Sequence, residues 1–211
     1  MNKFWLILVL ALLAAAAFPS MVLSGDWGSD WEELRRTISL VKSIKTDFVQ
    51  QKSLKILSRP ITSRGRFFYR EPGDIRWEYE TPIRSVVLLH KGEAHRYMRR
   101  DGGEYDEDRG PGVEAVRFVL EEMTHWFTGD FEAGDTFVPT LMPGSPSKII
   151  LSPRKQGLQG YIQRIELTLS PRPGVLQSVE IVESTDASTL IEFHNPEINP
   201  ALSDRLFERF E

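Results

Sequence analysis

The sequence predicts a mainly β protein with about ten antiparallel strands and two main helices. Three observations support this fold class. Many short segments alternate apolar and polar residues, and a period of two is typical of half-buried strands. Residues that favour turns, above all proline and glycine, separate these segments, as short turns do between successive antiparallel strands. Only two segments carry helical spacing, which is too little helix to cover both faces of a parallel sheet.

The first 24 residues are typical of a cleaved signal peptide. Lys3 precedes an uncharged run whose apolar core is shorter than the roughly 20 residues that span a bilayer. We therefore expect residues 1–24 to be removed on export and residues 25–211 to form a single domain. A retained membrane anchor is the alternative for the same segment.

Charge and cysteine content exclude several function classes. The full chain has a formal net charge of −4, and removal of Lys3 makes it one unit more negative. Because nucleic-acid binding needs a basic surface, this acidity argues against it. The sequence contains no cysteine, so it has neither a disulfide framework nor a thiol for lipid attachment.

A helix is predicted at the start of the mature chain. Ser29 and Glu32 have the spacing of a capping box. The apolar residues that follow at helical spacing are Trp31, Leu34, Ile38, Val41 and Ile44. We expect this helix to pack its apolar stripe on the core.

From Ile44 to Gln51 apolar and polar residues alternate with a period of two, which predicts the first strand. Residues 53–62 are expected to form a loop or a ragged edge.

The most distinctive stretch runs from Gly65 to Pro82. Two of its segments alternate, and their apolar members are Phe67, Tyr69, Ile75, Trp77 and Tyr79. The intervening residues 71–74 contain proline and glycine and predict a tight turn. The stretch therefore predicts a hairpin with an aromatic face, which protein or a ligand must cover, and a wet charged face that carries Arg76.

Two more strands are predicted near residues 86–89 and 94–98. Residues 101–111 are acidic and rich in glycine and predict an exposed loop; a calcium site is the alternative, but the spacing does not match a known calcium loop. Residues 113–128 return to helical period and predict a helix over the open side of the sheet. Its apolar stripe consists of Val113, Val116, Leu120, Met123 and Phe127, widened by Phe118 and Val119.

The last third predicts five further strands, each bounded by turn residues. They are Phe137–Met142, Lys148–Ser152, Tyr161–Leu169, Val175–Glu183 and Thr189–Asn195. A short piece from Asp204 to Phe210 ends the chain.

No recognised catalytic motif occurs, so we expect no enzyme activity and no cofactor. His90 and His95 flank a predicted turn, but a third metal ligand is not evident, and an incidental pair is favoured over a metal site.

The most informative remaining feature of the sequence is an excess of apolar strand faces. A curled antiparallel sheet can enclose a ligand between such faces. The alternative is that the apolar side chains pack against one another.

Three segments carry a resemblance to a known family. They are Phe48-Val49-Gln50, the block Gly65-x-Phe67-x-Tyr69-x-x-Pro72-x-x-Arg76-Trp77-x-Tyr79-x-x-Pro82, and Phe193-x-Asn195 with Asn199-Pro200 and Phe207. In this order they resemble the periplasmic outer-membrane lipoprotein carrier protein family, LolA. The resemblance implies an unclosed antiparallel β-barrel, a curled half-barrel sheet, with an α-helical lid over a hydrophobic cavity.

The same resemblance implies a function. Members of the family take the acyl chains of lipoproteins released by an inner-membrane ABC transporter and hand them to an outer-membrane acceptor lipoprotein. We therefore expect a monomeric periplasmic carrier; the alternative is a lipid- or lipoprotein-sensing interaction module of the same fold in envelope-stress regulation. The expected cavity lining consists of Phe48, Phe67, Tyr69, Ile75, Trp77, Tyr79, Leu120, Met123, Phe127 and Phe193.

The turn of the hairpin departs from the family pattern. In well-studied carriers a basic residue precedes the hairpin proline and helps to hold the lid closed, whereas this position is Glu71 here and the nearest base is Arg70. An ionised carboxylate cannot donate hydrogen bonds to the lid. We therefore predict that apolar contact mainly holds the lid closed and that it closes less firmly. Glu71 and Arg70 are the candidate residues for a lid switch at this turn.

Overall fold

A computed structural model gives the structure of residues 31–108, 112–172 and 174–208. The predicted signal peptide, Ser29 of the predicted capping box and the last residues of the predicted C-terminal piece lie outside the described residues. The side chain of Val116, predicted to lie on the helical stripe, is also outside them.

The described residues form eleven strands in one antiparallel sheet. The strands are β1 (Ser43–Leu54), β2 (Ile61–Arg70), β3 (Asp74–Thr81), β4 (Ser85–His90), β5 (Glu93–Arg99), β6 (Tyr105–Asp108), β7 (Phe137–Met142), β8 (Lys148–Pro153), β9 (Arg164–Leu169), β10 (Leu176–Ser184) and β11 (Ala187–Ile198). Their order across the sheet is β6-β5-β4-β3-β2-β1-β11-β10-β9-β8-β7. Because β6 and β7 are its two edges, the curled sheet is unclosed, and the predicted fold class is confirmed.

Three helices accompany the sheet within the described residues. They are α1 (Trp31–Ile38), α2 (Gly112–Thr128) and the single-turn α3 (Gln156–Gln159), and a 3-10 turn follows at Asp204–Leu206. Leu120, Met123, Trp126 and Phe127 of α2 pack against the inner face of the sheet in one hydrophobic core, which α1 completes through Leu34 and Ile38. No described helix combines the length and the apolar character needed to cross a bilayer.

The predicted hairpin is present as β2 and β3. Phe67 pairs with Trp77, and Gly65 pairs with Tyr79 across the ladder, so the aromatic rings share the inner face. A Cβ atom on Gly65 would lie 1.8 Å from the carbonyl oxygen of Glu78. Glycine is needed here because the two backbones approach too closely for any side chain.

The first helix is shorter than its apolar spacing predicts. It ends at Ile38, and Val41 lies in the connection to β1, where Ile44 is already a strand residue. The last turn tightens, since the amide of Val41 donates to the carbonyl of Ile38, a pattern common at helix ends. Val41 and Ile44 continue the helical spacing because both are buried in the same core. The loop predicted at 53–62 is confined to residues 55–60.

The loop predicted at 101–111 is wrong at Tyr105–Asp108, where β6 pairs with β5, and residues 109–111 lie outside the described residues. Acidic side chains of β6 face basic ones of β5: Glu107 accepts from His95 at 2.6 Å, and Asp108 lies 3.5 Å from Arg96. This charge pairing stabilises a strand whose sequence lacks an apolar alternation. In the last third, the strand predicted from Tyr161 begins at Arg164, after α3.

The charged face of the hairpin is only partly wet, contrary to the prediction, although Arg66 and Glu80 keep exposed side chains. Arg76 is only 8% exposed and donates to Glu78 and to the backbone oxygen of Leu206. The C-terminal segment folds over this outer face, where Phe207 is buried and the guanidinium of Arg70 lies 4.7 Å from its ring centre. The segment therefore covers charges that strand alternation alone assigns to solvent.

Candidate functional site

A cavity of about 570 Å³ lies between the inner face of the sheet and α2. Its wall is mostly apolar. The apolar strand residues that line it are Trp77, Val87, Met98, Val179, Ile181 and Ile191, and those from α2 are Val119, Leu120, Met123 and Trp126. Ile61 and Ile83 line one end and are 49% and 61% exposed, so the cavity opens to solvent there.

Strand register places the lining residues on one face. Val87 of β4 pairs with Trp77 of β3 on one side and with Arg96 of β5 on the other. Across the sheet, Val179 of β10 pairs with Ile191 of β11. Because successive side chains of a strand alternate between faces, these positions all point toward α2.

Four of the ten predicted lining residues line this cavity. They are Trp77, Tyr79, Leu120 and Met123. The other six lie in the same core but do not line it, and they are Phe48, Phe67, Tyr69, Ile75, Phe127 and Phe193. The structure thus brings the predicted residues together on one interior surface, and the cavity occupies only part of it.

Aromatic side chains fill the interior on the side of the 71–74 turn. The Phe127 ring stacks on Tyr69 with centroids 4.7 Å apart and on Phe67 at 5.4 Å. Phe193 is 6.0 Å from Phe67, and Phe48 is 5.1 Å from Trp77. At this end of the sheet the apolar side chains pack against one another, as the alternative interpretation of the sequence holds.

The two residues predicted to switch the lid make other contacts. The Glu71 carboxylate lies 2.7 Å from the Lys42 ammonium, and the Arg70 guanidinium binds Asp74 and Asp204 on the outer face. Neither side chain has an ion pair or hydrogen bond with α2 among the described residues. The turn approaches α2 through its backbone, since a Cβ on Gly73 would lie 3.5 Å from a methyl carbon of Thr124.

A few polar groups interrupt the apolar lining. They are Gln50, Ser63, Ser85, Arg96 and Thr189. The Tyr79 hydroxyl donates to the Gln50 side-chain oxygen at 2.9 Å. Burial raises the pKa of Tyr79 to about 12, while the positive charge of Arg96 acts in the opposite direction. Arg96 therefore lies close enough to Tyr79 to influence the electrostatics of the cavity.

The lining residues of β5, β10 and β11 were not predicted. The alternation of Val179 and Ile181 with Glu180 puts both residues on one apolar face of a strand. Nothing in the sequence indicated that these positions, and not Phe48 or Phe193, border empty space. That distinction depends on how far the rings at the opposite end fill the interior.

Both histidines near the β4–β5 turn have carboxylate partners. His90 lies 2.7 Å from Asp74, and His95 lies 2.6 Å from Glu107. Across the described part of the chain, no group of three or more histidine, aspartate or glutamate residues is arranged to hold a metal ion.

Several solved structures are similar to this chain. A DUF1329 family protein from Desulfovibrio piger is 11% identical, with 85% of this chain and 95% of that chain covered and a TM-score of 0.49. A LolA superfamily protein from Nitrosomonas europaea is 9% identical, with 86% and 99% covered and a TM-score of 0.43. The MucA/MucB complex from Pseudomonas aeruginosa contains a chain that is 12% identical, with 89% and 61% covered and a TM-score of 0.44. No curated protein matches this chain.

One family model matches the sequence. It is described as outer membrane lipoprotein carrier protein LolA, and it matches residues 39–97. This range runs from the end of α1 through most of β5 and contains the hairpin of β2 and β3. The family resemblance seen in the sequence is therefore confirmed. The matched range is less than a third of the chain and leaves out α2, β10 and β11, which complete the cavity.

Proposed function

We propose that this LolA-like protein binds the acyl chains of lipoproteins in the cavity between α2 and the sheet and carries them across the periplasm. The observation that carries this proposal is a mostly apolar cavity of about 570 Å³ that opens to solvent at Ile61 and Ile83. Binding is the whole of the proposed activity, without catalysis or a cofactor.

The apolar lining suits an acyl ligand energetically. Each methylene that leaves water for an apolar environment contributes roughly 0.8 kcal/mol, so a chain of ordinary length gains several kcal/mol from this wall. Aliphatic and aromatic side chains bind without fixed direction. One cavity of this kind can therefore accept the lipid anchors of many different proteins.

Helix α2 supplies the movable part. Leu120 and Met123 line the cavity and are only 3% exposed, so the helix covers this part of the apolar interior when no ligand is bound. A ligand competes for the same apolar surface and shifts the helix outward. Release then follows when an acceptor offers a better apolar environment.

The partners in this proposal come from the LolA-like match. An inner-membrane lipoprotein-releasing ABC transporter supplies the cargo, and an outer-membrane acceptor lipoprotein receives it, while the protein acts as a monomer. The carrier and the alternative sensing module differ in what they hold in the cell, which is acylated cargo for the carrier and a regulatory protein for the module.

Mass spectrometry of the tagged protein purified from its native periplasm tests the proposal. We expect co-purified acylated proteins with the wild type and their loss with Ile181→Glu, because this change places a charge in the apolar cavity. Val182→Glu is the matched control, since the adjacent residue points to the other face of β10. Equal recovery of cargo with both variants, or a regulatory protein without acylated cargo, would refute the carrier function.

A further inference from the structure

Arg96 is the only charged side chain among the described residues that line the cavity. It projects from the inner face of β5 beside Val87, in a wall of otherwise apolar and neutral polar groups. Acyl chains gain nothing from a guanidinium, and an arginine in an apolar wall costs free energy unless it is paired. Arg96 pairs with Asp108 of β6, and its place in the cavity wall also brings its charge within reach of a ligand.

The partner of Arg96 leaves much of the guanidinium available. The closest carboxylate oxygen, from Asp108 of β6, lies 3.5 Å away, and the two side chains are 33% and 34% exposed. Charge-assisted hydrogen bonds of this type are normally about 2.7 to 2.9 Å long. A guanidinium has five N–H donors in a planar fork, so it can bind a second anion in a bidentate manner.

Neutral polar side chains line the cavity at inner-face positions closer to its open end than Arg96. Gln50 pairs with Ser63 across β1 and β2, and Ser85 pairs with Met98 next to Arg96 on the inner face. In the strand register these residues lie toward the open end marked by Ile61 and Ile83. The cavity thus has apolar walls with a polar level near its opening, an arrangement that suits an amphiphile.

We infer that the cavity also binds free amphiphiles, that it selects those with an anionic head group, and that Arg96 binds the anion. This inference rests on the proposed function, because the tail of such an amphiphile occupies the apolar wall that receives the acyl chains of a lipoprotein. The head group is a carboxylate or a phosphate, since both match the guanidinium fork. The field of Arg96 already reaches Tyr79, whose pKa it lowers against the effect of burial.

Displacement of the uncharged dye N-phenylnaphthylamine measures the selectivity on the purified full protein at neutral pH. The ligands form two pairs, each with the same tails and a different head: decanoate with decanol, and dioctanoyl phosphatidic acid with dioctanoylglycerol. We expect the wild type to bind at least one anion about tenfold more tightly than its neutral partner. The pair with the larger preference shows whether the head group is the carboxylate of a fatty acid or the phosphate of a phospholipid.

Three variants identify the responsible group. Arg96→Gln should abolish the preference while the affinity for the neutral ligand stays unchanged, and Arg96→Lys should retain part of it. Asp108→Asn removes the competing carboxylate and should tighten anion binding severalfold. Arg64→Gln, which removes the same charge from an exposed position on the outer face of β2, should change nothing.

Two results overturn the inference: equal affinity of the wild type for anion and neutral partner, or an equal loss of both ligands in Arg96→Gln. If Arg96→Gln does not fold, the inference is overturned when Arg96→Lys and Asp108→Asn both show the same selectivity as the wild type. Failure of the proposed function looks different. In that case the wild type still prefers the anion and Arg96→Gln still abolishes the preference, but no acylated protein co-purifies from the periplasm.

Discussion

The ring of Phe127, near the C-terminal end of α2, stacks on Tyr69 of β2 with centroids 4.7 Å apart and planes inclined by 26°. This contact fixes one end of the lid helix to the aromatic face of the hairpin. Leu120 and Met123, one to two turns earlier in the helix, border the cavity instead. Phe127 thus attaches the C-terminal end of α2 to the sheet, while other residues of the helix, Trp126 among them, border the cavity.

The first prediction concerns this attachment. Phe127→Ala should lower the free energy of unfolding by about 3 to 5 kcal/mol, because a large buried ring is removed from a packed cluster. It should also speed the release of N-phenylnaphthylamine from the cavity, since the lid loses its fixed end. Urea unfolding and stopped-flow fluorescence measure the two effects.

Phe118→Ala is the control on the same helix, because Phe118 is 40% exposed. It should change unfolding by less than about 1 kcal/mol and leave dye release unaltered. An unchanged release rate in Phe127→Ala would show that this stack does not hold the lid.

The second prediction concerns the Tyr69 hydroxyl, which is buried without a hydrogen-bond partner among the described residues. Burial, and to a smaller extent the nearby negative charge of Glu71, raise the pKa of Tyr69 to about 12. Because the folded state holds this proton more tightly than the unfolded state, its contribution to stability is complete below about pH 10. That contribution is lost as the pH rises toward 12, by at most about 3 kcal/mol.

The stability of Tyr69→Phe should therefore fall less steeply between pH 10 and 12 than the stability of the wild type. Near neutral pH it should be as stable as the wild type or more stable, because an unsatisfied buried hydroxyl is removed. Thermal unfolding followed by circular dichroism across this pH range checks both points. A clear loss of stability at neutral pH would mean that the hydroxyl has a favourable partner.

The third prediction concerns Gly65, where a Cβ would lie 1.8 Å from the Glu78 carbonyl oxygen and 3.0 Å from the Phe48 ring. Gly65→Ala should destabilise the protein by about 3 kcal/mol or more, because the β2–β3 ladder must shift to admit the methyl group. Gly102→Ala is the control, since a Cβ there meets nothing within 4 Å. Similar unfolding midpoints for the two variants in urea would show that the close approach at Gly65 is not maintained.

Sequence reasoning predicted the parts of the fold that depend on local pattern. The β2–β3 hairpin followed from aromatic alternation around a Pro-Gly turn, and α2 followed from its apolar stripe. Strand β6 was missed because its stability depends on charge pairing with β5, which a single segment cannot reveal. Alternation correctly assigned Arg76 to the outer face of β3. It could not reveal that the C-terminal segment buries this side chain, because Leu206, whose backbone oxygen accepts from Arg76, is 130 residues away in sequence.

The candidate site was harder to predict than the fold. Alternation identifies the face on which Phe67 and Trp77 lie, but it does not say whether the space beyond that face is filled. Here Phe127 fills the space beside Phe67, while Trp77 borders the cavity. The role predicted for Glu71 likewise depended on a neighbour, and the structure places Lys42 beside it.

Photo-crosslinking in cells tests the central claim, which is that lipoprotein acyl chains occupy the cavity under α2. Benzoylphenylalanine would replace Met98, which lines the cavity, or Met142, which lies on edge strand β7, is 53% exposed and does not line it. We predict that the protein substituted at Met98 crosslinks to acylated lipoproteins and that the protein substituted at Met142 does not. Equal crosslinking at both positions, or crosslinking at Met142 alone, would contradict the account.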